Sequence, residues 1–352
     1  MAELLEYLSR VVQDNASDLF IIAGSPVCEK LDNRLCHISA DRVMPDDCER
    51  LITDLYEKAG RKMDAFLQRG DDDFSFSLAG LARFRANTYR QRGSMAAVIR
   101  VVAFGIPDWK GLGIPEEVIK LSKVKHGMIL VTGTAGSGKS TTQACIIDQI
   151  NQTRECHIIT MENPIEYLHR NHSSIVSQRE IAIDTEDYLS ALRACLRQAP
   201  DVILLGEMRD HETIRTAMTA AETGHLLIAT LHTQGAVNTI DRIVDSFPSD
   251  QQAQVRIQLS MVLHTVVSQQ LLPSVSGSLV PAFEVMHVNS GIRSLIRDSK
   301  SHQIDNAIAA GGGEGMITMD QSIFSLYQAG KISKDTALSF SAHPEQLQRR
   351  LG

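Results

Sequence analysis

The chain has 352 residues, 43% of them hydrophobic and 22% charged, with a formal net charge of −7. That length exceeds one typical core and predicts two domains of about 100 to 200 residues, while the acidic balance argues against a surface built mainly to hold nucleic acid phosphates and leaves room only for a local basic groove. No apolar run approaches the roughly 18 residues that span a bilayer, the opening MAELLEYLSRVVQD carries acids where a secretory leader carries bases, and the six cysteines are scattered without a CxxC pair, so a cytoplasmic protein with reduced thiols is expected.

Residues 1–100 read as a small α+β domain: a helical opening, the apolar segment DLFIIAG, a helix over 46–67, and alternating strand patterns in DFSFSL and ARFRANTYR. Pro and Gly punctuate AFGIPDWKGLGIP, which places a linker at 101–115. Over 116–352 apolar runs of strand length alternate with helical patterns: GMILVTG, STTQACIIDQIN, HIITM, a helix around 185–197, VILLG, RDHETIRTAMTAAET and HLLIATLH. This alternation, with strands apolar almost throughout, predicts an α/β domain whose parallel sheet is covered on both faces. From Pro248 onward the tail reads as largely helical, interrupted by a short strand pair around LVPAFEVMHV and the loop GGGEG.

GTAGSGKS matches the pattern GxxxxGK[ST] and lies between a predicted strand and a predicted helix, the context in which that pattern binds nucleotide phosphates. Gly133, Thr134, Ala135, Gly136, Ser137 and Gly138 form the loop, and Lys139, Ser140 and Thr141 open the helix. Glycines let the backbone curl so that N–H groups face inward, toward the positive end of the helix. Lys139 is placed to reach the β and γ phosphates of ATP, and the Ser140 hydroxyl to ligand Mg²⁺.

In open α/β sheets the ligand lies beyond the carboxyl ends of the strands. Here HIITM ends at Glu162, VILLG at Glu207 and LLIATL at His232. Glu162 is the candidate for orienting and deprotonating the attacking water, with Pro164 stopping the strand beside it. Glu207 is either a carboxylate that orders the Mg²⁺ shell or a solvated strand-end acid. His232 is placed to contact the γ phosphate; a packed, hydrogen-bonded histidine is the other reading, and it serves equally for His225. The seven-residue separation of the two histidines argues against a shared metal site. Arg83, Arg85, Arg90, Arg92 and Arg100 crowd the end of the first domain. They are read as a solvated strand face, as a nucleic acid surface, or, fitting the rest of the chain better than the second, as arginines that neutralise phosphate charge from another domain or subunit.

Together the motifs resemble the secretion ATPase superfamily, most closely its PilT-type retraction ATPases of type IV pili. The resemblance runs through NASDLFI, DFSF, RFRAN, GTAGSGKST, the acidic box MENPIEY, LRQAPDVILLGEMRD, TGHLLIATLHT, LLP with PAFEVM, GIRSLIRDSK and GMITMDQSI. It implies a PAS-like first domain, a RecA-like P-loop ATPase domain, and a homohexamer at the cytoplasmic face of the inner membrane, peripheral to it and not inserted. It further implies ATP and Mg²⁺ as cofactors, with Glu162 as catalytic base, Glu207 as the acid serving Mg²⁺, and Arg85 and Arg100 as arginines that meet phosphate. Implied partners are an inner-membrane platform protein and a paralogous retraction ATPase, and no nucleic acid. GIRSLIR resembles the helical motif needed for retraction, and the absence of an added amino-terminal domain and of a CxxC module points away from extension. Phe20, Ala135, Asn163 and Gln270 depart from the family's usual histidine, threonine, aspartate and arginine. Asn163 removes one negative charge beside the presumed base.

Overall fold

The computed structural model describes residues 3–31, 34–102 and 105–351. The expected linker at 101–115 includes Ala103 and Phe104, which lie outside the described residues. The chain divides into two compact units, Met1–Gly105 with Glu166–Leu168, and Ile106–Ile165 with His169–Gly352.

Alternating polarity builds an antiparallel sheet in the first unit. Among the described residues its strands are β1 (Asp18–Ile22), β2 (Pro26–Leu31), β3 (Arg34–Arg42), β4 (Asp71–Leu78), β5 (Ala82–Gln91) and β6 (Ser94–Val102), in the order β3-β2-β1-β6-β5-β4. Along β5 the residues Ala82, Phe84, Ala86 and Thr88 are buried, which turns Arg83 and Arg85 to the other face. Helices α1 (Leu4–Gln13) and α2 (Pro45–Lys58) lay Leu4, Leu8, Leu51 and Leu55 into the same core. The helix expected over 46–67 is in fact broken: α2 stops, Gly60 turns left-handed at φ +62°, and α3 (Asp64–Arg69) starts afresh. Arg61 in the break binds Asp72 through Nε and a terminal amine, each at 2.8 Å.

The second unit carries the strands β7 (Gly127–Thr132), β8 (His157–Glu162), β9 (Ile175–Glu180), β10 (Val202–Leu205), β11 (Leu226–Leu231), β12 (Leu263–Pro273) and β13 (Leu279–His287). Their order is β13-β12-β7-β11-β10-β8-β9, parallel throughout except for the antiparallel β12/β13 pair. Successive residues of β7 feed opposite cores, Met128 and Leu130 on one side, Ile129 and Val131 on the other. Because both faces are covered, no position in β7, β10 or β11 is left to be polar-out, and the strands read as continuous apolar runs. Helices α4 (Glu116–Ile119) and α5 (Lys139–Thr153) cover one face. The other is covered by α6 (Tyr188–Cys195), α7 (His211–Glu222), α8 (Ala236–Asp245), α9 (Gln252–Val262), α10 (Ser290–Arg297) and α11 (Ile304–Ala310). Asp187, Asp210 and Asn289 cap the amino ends of α6, α7 and α10 with side-chain oxygens.

The tail differs from the expectation of a mostly helical segment with a short strand pair. β12 and β13 are long, and β12 lies parallel beside β7, so the tail completes the main sheet before α12 (Met319–Gln328) begins a separate helical cluster. Glu284 in β13 explains how the cluster is attached. Its carboxylate is 7% exposed and accepts from Ala236 N at 2.7 Å and Met319 N at 3.4 Å, so one acid caps both α8 and α12. Burial pushes the Glu284 carboxyl above its ordinary pKa against the opposing pull of these two amides.

Candidate active site

The loop after β7 is shaped by close approach. A methyl at Gly133 would stand 2.3 Å from the Gln269 carbonyl oxygen and 2.6 Å from Ser137 Oγ, and Gly133 adopts φ +143°. Gly138, at φ +87°, leads into α5, whose amino end no side chain caps and whose positive pole faces the loop. Lys139 is 8% exposed and folds back, donating from Nζ to the carbonyls of Gly133 and Thr134 at 2.8 Å each. Ser137 Oγ is buried beside it without a hydrogen-bond partner in the structure. The amino end of α5, a lysine held at the mouth and the Ser137 hydroxyl form a donor set suited to phosphate oxygens.

Three neighbouring strand ends face this loop, as the sheet rule requires. Glu162 closes β8 and accepts from Thr160 Oγ1 at 2.6 Å and from Gln178 Nε2 at 3.4 Å. The peptide between Asn163 and Pro164 is cis, and the turn is held by Ile165 N donating to Glu180 Oε2 at 3.1 Å. Glu207, two residues past β10, receives Arg209 at 2.7 Å and has His232 Nε2 at 3.3 Å. Burial pushes the Glu207 carboxyl up, but Arg209, His232 and Lys139 together outweigh it and hold the group below its usual value. Gly206 lets these strand ends pack at close quarters, because a methyl there would lie 2.9 Å from the Tyr188 hydroxyl and 3.0 Å from the Met161 carbonyl oxygen. The Tyr188 phenol is pushed up to about 12 by burial, with Glu207 and Glu162 adding to the rise against Arg209.

Strand order and charge place Lys139, Glu162, Glu207 and His232 at one edge of the sheet in the second unit, and Ser140 follows Lys139 in the first turn of α5. His225 does not join them: it sits at the opposite end of β11, with Nδ1 2.9 Å from the Ala220 carbonyl oxygen. Arg85 and Arg100 belong to the first unit, directly opposite each other on β5 and β6. Asp73 holds Arg85 by two bonds of 2.6 and 3.2 Å, and Asp18 holds Arg100 Nε at 2.8 Å. An exposed pair of this kind contributes about 0.2–1 kcal/mol, so the Asp73 pair leaves Arg85 exchangeable toward another anion. Arg209, Tyr188 and Gln178 escaped the sequence reading. Arg209 was findable, two residues after Glu207 in GEMRD; Gln178 was not, because its strand β9 carries polar residues that hide it.

Donor chemistry also bears on a metal. Ser140 and Glu207 offer hard oxygens, and among the described residues no group of three or more His, Cys, Asp or Glu side chains could hold a metal ion. That combination fits Mg²⁺, which is held by one or two protein oxygens together with phosphates and water, rather than a transition-metal cage.

Residues 2–310 match the family model described as "Type II/IV secretion system protein". The chain belongs to this family. Within it, the chain is 42% identical over 344 residues to the type IV pilus retractation ATPase PilT of Pseudomonas aeruginosa, covering 97% of this chain and 99% of that one. It is 35% identical over 353 residues to the type IV pilus ATPase PilU of the same organism, covering 99% and 92%. A crystal structure of the pilus retraction motor PilT with bound ADP superposes with a TM-score of 0.91 at 44% identity, over 99% of this chain and 100% of that one. A phosphate loop with this arrangement of strand-end acids, in a member of this family, is an ATP hydrolase. Among the described residues no helix is long and apolar enough to cross a membrane.

Proposed function

We propose that this chain is a Mg²⁺-dependent motor for type IV pilus retraction and twitching motility, working as a homohexamer against an inner-membrane platform protein and removing pilin subunits as ATP is hydrolysed. One observation carries the site reading: Glu162, Glu207 and His232 end three adjacent strands at the loop, with Glu207 inside the field of Lys139. The full-length likeness to a retraction ATPase carries the biological reading.

In this reading the loop amides and Lys139 hold the phosphates, and Lys139 exchanges its two carbonyl partners for phosphate oxygens. Ser140 and Glu207 would hold Mg²⁺, which would neutralise phosphate charge. Glu162, supported by Thr160 and Gln178, accepts a proton from the attacking water at its carboxylate. His232 contacts the γ phosphate and, through Glu207, reports its presence. Arg85 and Arg100 leave their aspartates to neutralise, in a neighbouring subunit, charge on the oxygens of the γ-phosphoryl group being transferred. Glu162→Gln is expected to keep ATP binding and to lower kcat by about 10² to 10⁴-fold; unchanged hydrolysis in that variant would sink the assignment.

A second reading is favoured by Asn163, which leaves the strand end one charge short of the aspartate common in such boxes: an accessory ring subunit of low turnover beside a paralogous retraction ATPase. Turnover of the purified chain alone separates the two readings, and Asn163→Asp should raise it if the missing charge is the cause.

A further inference from the structure

We propose that Gln269 is a positioning residue for the phosphate loop, setting its shape from the neighbouring strand β12. In the parallel pairing of β7 and β12, Ser268 stands opposite Thr132, the last residue of β7. Gln269 therefore stands level with Gly133, where the chain leaves the sheet and the loop begins. It is 3% exposed.

Three contacts converge on this one side chain and its backbone. The carbonyl oxygen lies against Gly133 so closely that a methyl there would be 2.3 Å away. The side-chain nitrogen lies against Gly138, where a methyl would be 2.8 Å away. The side-chain oxygen accepts from Thr142 Oγ1 at 2.7 Å, and Thr142 is wholly buried in the first turn of α5, its own amide bonded to Gly138 O at 3.0 Å. Gln269 thus bounds the first glycine of the loop, the last glycine, and the helix that follows. The Thr142 bond also fixes the amide orientation: with Oε1 engaged by the hydroxyl, Nε2 is turned toward Gly138 and the loop.

This geometry separates positioning from filling. A leucine at 269 fills similar space but strands the Thr142 hydroxyl without its acceptor and removes the polar face beside Gly138. A glutamate keeps the acceptor for Thr142 yet sets a negative charge where the loop gathers donors for phosphate, so it opposes the nucleotide without emptying the core. Gln269 lies on β12, four strands along the sheet from β8, which ends at Glu162, so the loss belongs to nucleotide binding and leaves the chemical step alone.

The test uses the full chain, measuring KM and kcat for MgATP, affinity for N-methylanthraniloyl-ADP, and Tm. Thr142→Val and Gln269→Leu are each expected to raise KM about three- to tenfold with kcat held within about twofold, and the double variant to be no worse than the poorer single one, since both remove the same bond. Gln269→Glu is expected to raise KM about thirtyfold, well beyond Gln269→Leu, while burial of its charge lowers Tm; a KM loss set by charge and not by Tm is one that a purely structural residue would not produce. Should Gln269→Leu fail to fold, Gln269→Glu and the shape-matched Thr142→Val decide the matter. Unmoved KM in these two, or effects that multiply in the double variant, would overturn the role of Gln269. The inference rests on ATP binding by the loop: a parent chain that binds no nucleotide removes that reading as well, whereas normal parent turnover with unmoved variants removes only this one.

Discussion

Replacing Gly206 by alanine tests how closely the two strand-end acids are packed. The added methyl would stand 2.9 Å from the Tyr188 hydroxyl, 3.0 Å from the Met161 carbonyl oxygen and 3.3 Å from Glu162 Cα. Ordinary carbon contacts lie near 3.5–4.0 Å, so the neighbours must give way by about 0.5 Å. Two of the three obstacles are backbone, and they belong to the end of β8 that carries Glu162. Overpacking of this kind costs about 1–3 kcal/mol, and since a 1 Å misplacement costs about 10²-fold in rate, half that displacement predicts a kcat about tenfold lower. The phosphate loop is untouched, so nucleotide affinity should stay within about twofold. Steady-state ATP hydrolysis, ADP binding and thermal unfolding together read all three quantities. Tyr188→Phe in the same chain removes only the hydroxyl obstacle, so it should recover part of the lost Tm and less of the lost kcat. A Gly206→Ala chain that hydrolyses ATP like its parent would refute the argument.

Two further outcomes follow from charge. Removing Arg209 takes away the largest influence that opposes burial at Glu207, so the Glu207 pKa should rise and the acid limb of the kcat profile should move to higher pH in Arg209→Ala; an unmoved limb would mean that Glu207 is not the group titrating there. Burial also depresses histidines: His169 is pushed down to about 4 by burial, and His264 and His287 are lowered chiefly by burial, His264 also by its neighbours His287 and His126 while Glu117 and Glu314 pull His287 back up. A histidine with a depressed folded pKa contributes stability that is present above its unfolded value near 6.5 and lost as pH falls toward the folded one. For His169 the loss at pH 5 is about 2 kcal/mol. Urea unfolding at pH 7.5 and pH 5 should therefore show a smaller decline in His169→Gln than in the parent, and an equal decline would dismiss the effect.

Legibility from sequence followed burial on both faces. β7, β8, β10 and β11 announced themselves as apolar runs, and the residues just past them, Glu162, Glu207 and His232, could be named because a buried strand ending in a charge has one economical explanation in a parallel sheet. What stayed hidden lay where only one face is covered or where partners are far apart in the chain. β9 is an edge strand reading IVSQRE, without the apolar run that marks its neighbours, so Gln178 and Glu180 were invisible as supports of the acidic box. Gln269 contacts a loop more than a hundred residues earlier, and no local pattern encodes that pairing. The aspartates that hold Arg85 and Arg100 were equally beyond reach, since cross-strand register joins Asp18 to Arg100 across 82 positions. The unbroken helix expected over 46–67 failed for a local reason, the left-handed Gly60.

The single carboxylate of Glu284 sets a rule for dissecting this chain into fragments. Because the same acid caps both α8, which follows the histidine-bearing turn, and α12 in the distal cluster, no cut between Glu284 and Met319 is neutral to the site. Such a truncation keeps every residue named in catalysis, yet it leaves a buried acid holding one amide instead of two, directly behind the turn that follows His232. Excision boundaries in this architecture are thus dictated by the reach of one side chain, and a fragment chosen by motif content alone would inherit a flaw its sequence does not advertise.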